Sequence, residues 1–353
     1  MNRTLATITL EERKLRAIPP SIFVPENVFV NGAGQFCSIE ATKSYMTARS
    51  THFYVLKNMH TKAALHEALI QGKDILRLGR TDDMNIRVKM TAVFLRLHTY
   101  AATQECYDFV KWWKTCEVPD WADNSYPFLD ISGADMLEPL YKGLLLTRKS
   151  NDLSDELMDW MFARCRPDVN SCIAVTFIKM RLLLQLRHFY QRRDLLLLGT
   201  IRATSPLCVL RGDRVILSTV FEFLRPSYAC FETFSVAQLR GVEKRLSEQI
   251  RTLLVHVESE MNHRIWKAFV NPDKILSATL PSMYAKGSAE EAILHVKQFL
   301  PLLTEEAGFK NAAEARGMRQ ILVEHVGENT AYDLTLMKNP QQPFEIHSHP
   351  VFL

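Results

Sequence analysis

The sequence predicts a mostly α-helical protein, an irregular α-solenoid or bundle of antiparallel helix pairs. Three observations carry that expectation. Apolar residues recur at three- and four-residue spacing in successive windows between residues 61 and 327, the period of helices that bury one face. Glycine and proline number only 13 and 15 in 353 residues, which argues against a loop-rich, collagen-like or disordered chain. No strict repeat period appears, so any solenoid is irregular.

Residues 1–58 read as an irregular N-terminal segment, because Pro19, Pro20, Pro25 and the run Asn31-Gly32-Ala33-Gly34 punctuate it. Residues 59–330 read as a helical domain and 331–353 as an irregular tail. Within the domain, Ala64, Leu65, Ala68, Leu69, Ile75, Leu76 and Leu78 fall on one side of a helix over 61–78, with Gly72 a weak point. Thr81-Asp82-Asp83 supplies N-cap chemistry for a second helix, on which Ile86, Met90, Val93, Phe94 and Leu97 keep the spacing. After a break at His98-Thr99-Tyr100, Cys106, Phe109, Val110 and Trp113 stand at i, i+3, i+4 and i+7, closing a hairpin over 82–115. Residues 118–133 read as a loop, and 134–148, 153–165 and 169–191 as helices; the last is apolar almost all round, as a central helix is. Residues 199–234 read either as a small β element, with Val215-Ile216-Leu217 and Val220-Phe221 as strands, or as short helices. Helical spacing returns over 235–270 and 287–327.

Net charge is +4, from 43 basic and 39 acidic residues, too even a balance to imply a nucleic-acid or membrane partner without local clustering. Seven cysteines, none in CxxC spacing, point to buried thiols in a reducing compartment rather than disulfides or zinc. The first twenty residues have no apolar run before their charges, unlike a signal peptide. The most apolar run, Cys172–Leu186, is broken by Lys179 and Arg181 and is short for a bilayer. A cytoplasmic chain without a membrane partner is the expectation.

The stretches "ILRLGRTDDMNIR", "FLRLHTYAATQECYDFVKWW", "YPFLDISGADMLEP", "AVTFIKMRLLLQLR" and "WKAFVNPDKILSATLPSMY" occur in that order. In this the chain resembles a group of uncharacterised fungal proteins with an all-helical, tetratricopeptide-like region, some of them placed near MYND-type zinc fingers. The resemblance spans roughly residues 45–300. It implies a helical fold and no particular activity. The cysteine and histidine cluster of a MYND finger is missing here, so no zinc role follows.

Four constellations invite chemistry. In "QECYDFVKWW", Cys106 lies on the apolar face beside Glu105 and Asp108, which oppose a thiolate, so a structural thiol is expected with the acids turned outward. Trp112 stands about 100° from Trp113 on a helix and is a candidate anchor for a protein partner. Cys37, at a glycine-rich turn before an expected helix from Ile39, is loosely similar to the nucleophile of papain-like thiol enzymes, with Gln35 as an oxyanion donor and His347 or His349 as base. Asp82-Asp83 lacks the third acid of an aspartate-rich metal motif, and capping explains it better. Lys179, Arg181, Arg187, Arg192 and Arg193 form a basic stripe with His188, Phe189 and Tyr190 interleaved, suited to phosphate or RNA if exposed. No GxGxxG, P-loop or HExxH is present, so neither cofactor nor metal is expected. The function expected is a non-enzymatic interaction or scaffold protein presenting a helical surface to a protein partner. The alternatives are an enzyme of fungal specialised metabolism, a hydrolase or transferase using Cys37, and an RNA-binding helical protein.

Overall fold

The computed structural model describes residues 2–59, 61–115, 128–140, 144, 169–197, 235–261, 265–270, 289–303 and 312–326. They form helices and connecting turns, with no strand among the described residues. The mostly helical class expected from the sequence is what the structure shows. The tail at 331–353, the helix at 153–165 and the possible β element at 199–234 lie outside the described residues.

The N-terminal segment is not irregular. Helix α1 spans Asn2–Ala17, a one-turn α2 spans Val28–Asn31, and α3 spans Lys43–Asn58. Few apolar residues mark α1, since Ile8 and Leu15 alone supply most of its inner face. Ion pairs at helical spacing, Lys14–Glu11 at 2.7 Å and Arg16–Glu12 at 2.8 Å, and the Thr4–His52 contact of 2.8 Å to α3 supply the rest. In α3 a buried Arg49 breaks the apolar spacing. Its guanidinium donates to the Tyr45 hydroxyl and pairs with Asp74, both at 2.8 Å.

Helix α4 spans Lys62–Leu78, and the Thr61 hydroxyl accepts from Ala64 N; Gly72 does not interrupt it. Helix α5 spans Ile86–Arg96 and α6 spans Tyr100–Thr115. The Asp82 carboxylate accepts from Ile86 N at 2.7 Å and Arg87 N at 2.9 Å, so the expected capping is present. Each of these helices packs on the next, α1 on α3, α3 on α4, α4 on α5 and α5 on α6, and they share one apolar core.

A long helix α7, Val169–Leu197, lies in the centre and packs against α5, α6, α8 (Val236–Met261) and the last described helix, α11 (Ala312–Val326). Two shorter helices, α9 (Ile265–Val270) and α10 (Ala289–Phe299), complete the set. By length and composition Val169–Arg187 is apolar enough to cross a membrane, contrary to the expectation from the shorter run. Its side chains are enclosed by other helices, which accounts for its hydropathy. Gly317 allows the close approach of α11, since a Cβ there would sit 2.5 Å from Leu184 Cδ1.

Residues 134–140 were expected to start a helix and do not. Side chains take over their backbone groups instead. The Asp108 carboxylate accepts from Gly133 N at 3.0 Å and Ala134 N at 2.6 Å. Gln104 Nε2 donates to Ala134 O at 2.7 Å, and Lys179 Nζ donates to Met136 O at 2.7 Å and Glu138 O at 2.8 Å. With these groups satisfied, the segment loses the incentive to form its own ladder. Asp108 is therefore buried and structural, not turned outward.

Asp108→Ala leaves two backbone donors without their acceptor and is expected to cost about 2–3 kcal/mol. The exposed Asp130→Ala should stay within about 0.5 kcal/mol. Urea unfolding of the two variants compares them directly.

Candidate functional site

The described part of the basic stripe, Lys179, Arg181 and Arg187, does not form a free basic surface. Lys179 and Arg181 are fully buried. Burial pushes the Lys179 ammonium down to about 8, against the pull of Glu138 and Asp135, and it lies 5.4 Å from the centroid of the Tyr107 ring. Arg181 reaches three elements. Its Nε contacts Glu314 of α11 at 2.6 Å, and it donates to Thr103 Oγ1 at 3.1 Å and Leu95 O at 3.2 Å. It also donates to His98 Nδ1 at 3.0 Å, which requires a neutral imidazole. Burial, aided by Arg181, lowers the His98 pKa in the same sense. His98 holds a left-handed backbone, φ 51°, at a cost of about 1 kcal/mol. Burial opposes ionisation of Glu314, but Arg181 outweighs it and holds the carboxyl at about 2. Arg187 pairs with Glu243 at 3.1 Å and Glu324 at 2.8 Å, so it too is engaged within the fold. Arg192 and Arg193 lie on α7, with side chains outside the described residues. An RNA-binding stripe loses its first three members to internal structure.

Trp112 is 9 % exposed and offers no surface anchor. On α6 the core covers more of the helix than one apolar stripe, because α5 and α7 both pack on it. Trp113 lies instead against the Arg87 guanidinium, 4.1 Å from its ring centroid. Cys106 is buried, as expected, and burial raises its pKa strongly.

Cys37 lies in a three-residue 3-10 turn, Phe36–Ser38, not at the start of a long helix. Its thiol packs on the turn after α4: a Cβ on Gly79 would sit 2.5 Å from its Sγ. Burial, then the charge of Asp83, raises its pKa, the opposite of what an activated nucleophile needs. His347 and His349 lie outside the described residues.

One feature of the described surface has no internal role, and sequence reading passed over it. At Ser21–Val24 the chain reverses in a two-residue turn: Ser21 N donates to Val24 O at 2.8 Å and Val24 N to Ser21 O at 3.3 Å. The Ser21 hydroxyl accepts from Phe23 N and Val24 N, both at 3.2 Å. Val24 and Val28 are buried and Phe29 packs edge-on to Tyr45, so the base of the turn is fixed. Its tip carries Ile22 at 93 % and Phe23 at 78 % exposure. Ile18 and Val30 are exposed nearby in sequence. The signal was present as Pro-Pro-Ser-Ile-Phe-Val-Pro, an apolar pair framed by prolines, in a stretch from 17 to 42 that holds Glu26 and Glu40 and no lysine or arginine.

No protein-family model, curated protein or solved structure matches the chain significantly. No group of three or more metal-ligating side chains is found among the described residues.

Both shifts at the Arg181 cluster have one sign. Neutral His98 and ionised Glu314 are favoured by folding, so stability falls as protons are added. The loss should begin as pH drops through the ordinary histidine range near 6.5 and resume between about 4.5 and about 2. Glu314→Gln should abolish the second step and cost about 3–5 kcal/mol at pH 7 by leaving Arg181 without its carboxylate. Urea unfolding across pH reads both effects.

Proposed function

We propose that this protein is a non-enzymatic interaction protein whose contact point is the Ile22–Phe23 turn, received by an apolar cleft in a protein partner. The observation that carries the reading is the pairing of near-complete exposure with a fixed backbone. Two large apolar side chains in water cost stability and solubility and return nothing to the fold. A turn held by its own hydrogen bonds and by buried valines loses little entropy on docking. Burying both side chains supplies about 3–6 kcal/mol, enough for the central anchor of an interface.

Local charge supports a protein rather than a membrane or nucleic acid. Anionic surfaces are recognised through lysine and arginine; none lies between residues 17 and 42, and Arg16, which stacks 4.2 Å from the Phe29 ring centroid, is already paired with Glu12. Glu26 beside the turn suits a cleft with a basic rim. The raised Cys37 thiol counts against the thiol-enzyme alternative, and the internal roles of Lys179, Arg181 and Arg187 count against the RNA alternative.

A photo-crosslinking residue placed at position 23 in otherwise native chain tests this in an extract of the source cells. The expected product is a crosslink to one discrete protein, competed by unlabelled wild type. An Ile22→Asp, Phe23→Asp double variant should unfold at the wild-type midpoint yet compete about 100-fold or more worse, consistent with 3–6 kcal/mol of lost burial. Crosslinks confined to this chain or to lipid, or equal competition by the double variant, would overturn the reading.

A further inference from the structure

A second surface feature is independent of the turn. Three half-buried lysines are received by protein acceptors: Lys73 by Glu105, Lys111 by the Glu138 carboxylate at 2.8 Å, and Lys89 by the Tyr54 hydroxyl and Met84 O. Lys57, in the last turn of α3, is not. Among the described residues its ammonium meets no carboxylate and no hydrogen-bond acceptor, only the ring of Tyr54, whose centroid lies 5.5 Å away. The Lys89 ammonium lies 4.9 Å from the centroid of the same ring. Two cations therefore share one aromatic ring, and one of them is received by nothing else.

The carbonyl end of α3 and the ring face each attract a cation, which accounts for an ammonium at position 57. They do not account for a second ammonium on the same ring. Burial first, then the charges of Lys89 and Arg96, pushes the Lys57 ammonium down to about 8. Near neutral pH such a group holds about 100-fold more free amine than an ordinary lysine. A lysine desolvated beside another cation is nucleophilic for this reason. Lys57 is half-buried, open enough for a small uncharged reagent to reach the nitrogen and shielded enough to strengthen an ion pair formed there.

We infer that Lys57 is a modification site for carbon dioxide, whose addition to the free amine gives a carbamate that pairs with Lys89 at the Tyr54 ring. The nitrogen lone pair attacks the carbon of carbon dioxide, an N–C bond forms, and one C=O π pair moves onto oxygen. The nitrogen then gives one proton to water. The product carries one negative charge, and the step needs no oxidant, metal or leaving group. Lys89 spends two of the three donors of an ammonium on Tyr54 and Met84 O, which leaves a third for a carbamate oxygen. The Tyr54 hydroxyl donates to Met84 O at 3.3 Å, and burial, then Asp82, raises its pKa to about 12, so the phenol stays neutral and supplies Lys89 with no countercharge. An acyl donor would leave a neutral amide at Lys57 and no partner for Lys89. The carbamate turns the repulsion between the two lysines into an attraction.

The test equilibrates native protein with isotopically labelled bicarbonate and its dissolved carbon dioxide at constant pH and ionic strength. Triethyloxonium ion then traps carbamates as esters, and the peptides are mapped by mass. Lys57 should carry the label at about 10-fold or more the occupancy of the exposed lysines Lys14, Lys43 and Lys244. This comparison is made within the wild-type chain and needs no folded variant. Lys89→Met removes both the repulsion and the counter-ion and should lower Lys57 occupancy about 10-fold. Lys57→Arg keeps the positive charge and should lose the corresponding carbamate resonance from the labelled-carbon NMR spectrum. Labelling of Lys57 no greater than that of the three exposed lysines overturns the assignment, as does undiminished labelling in folded Lys89→Met. Either failure leaves the Ile22–Phe23 reading untouched, since neither lysine belongs to that turn.

Discussion

Lys179 and Arg181 stand two residues apart on the central helix, fully buried, and everything packed around that helix must meet them. A charge taken from water costs several kcal/mol unless its donors are received. Lys179 is received by the carbonyls of Met136 and Glu138, and Arg181 by Thr103, Leu95 O, His98 and Glu314. These groups come from the end of α5, from α6, from the 133–138 segment and from α11. Apolar packing alone would tolerate several rotations of α7 against its neighbours. The two cations favour the one in which their donors are received, since any other leaves a buried charge without partners. Asn170 adds to this, donating to Val88 O at 3.1 Å while its own oxygen faces His295 at 2.6 Å.

That constraint also explains what the sequence showed and what it hid. The periodicity of α4, α5 and α6 was legible because each buries an apolar stripe against an adjacent helix. Helices α1 and α3 were not, since Thr4, Arg49 and His52 occupy inward positions that an apolar pattern scores as outward. Whether Lys179 and Arg181 face solvent was not legible for the same reason: sequence shows a charge but not the carbonyls and the carboxylate, up to 133 residues away at Glu314, that receive it. Asp108 was misread alike. Its partners are backbone amides, which carry no sequence signature.

The functional candidates moved in a consistent direction. Conspicuous residues, such as Trp112, Cys106 and Arg181, were conspicuous because they build the interior. The turn at Ile22–Phe23 looked like ordinary proline-rich irregularity. A short apolar pair has no period, and only its exposure separates it from a strand fragment.

The segment 133–138 has a history written into its contacts. Its ligands on α6 and its ligand on α7 are separated by some seventy residues of chain, and it carries no ladder of its own to hold it beforehand. Its α6 contacts can form locally, but its seat is complete only once those two helices have met. The Lys179 contacts therefore close late, and contacts that are absent from the transition state act on the rate of leaving the native state rather than reaching it. In that sense the segment is a latch: it adds little to how the helices find one another and much to how long they stay together.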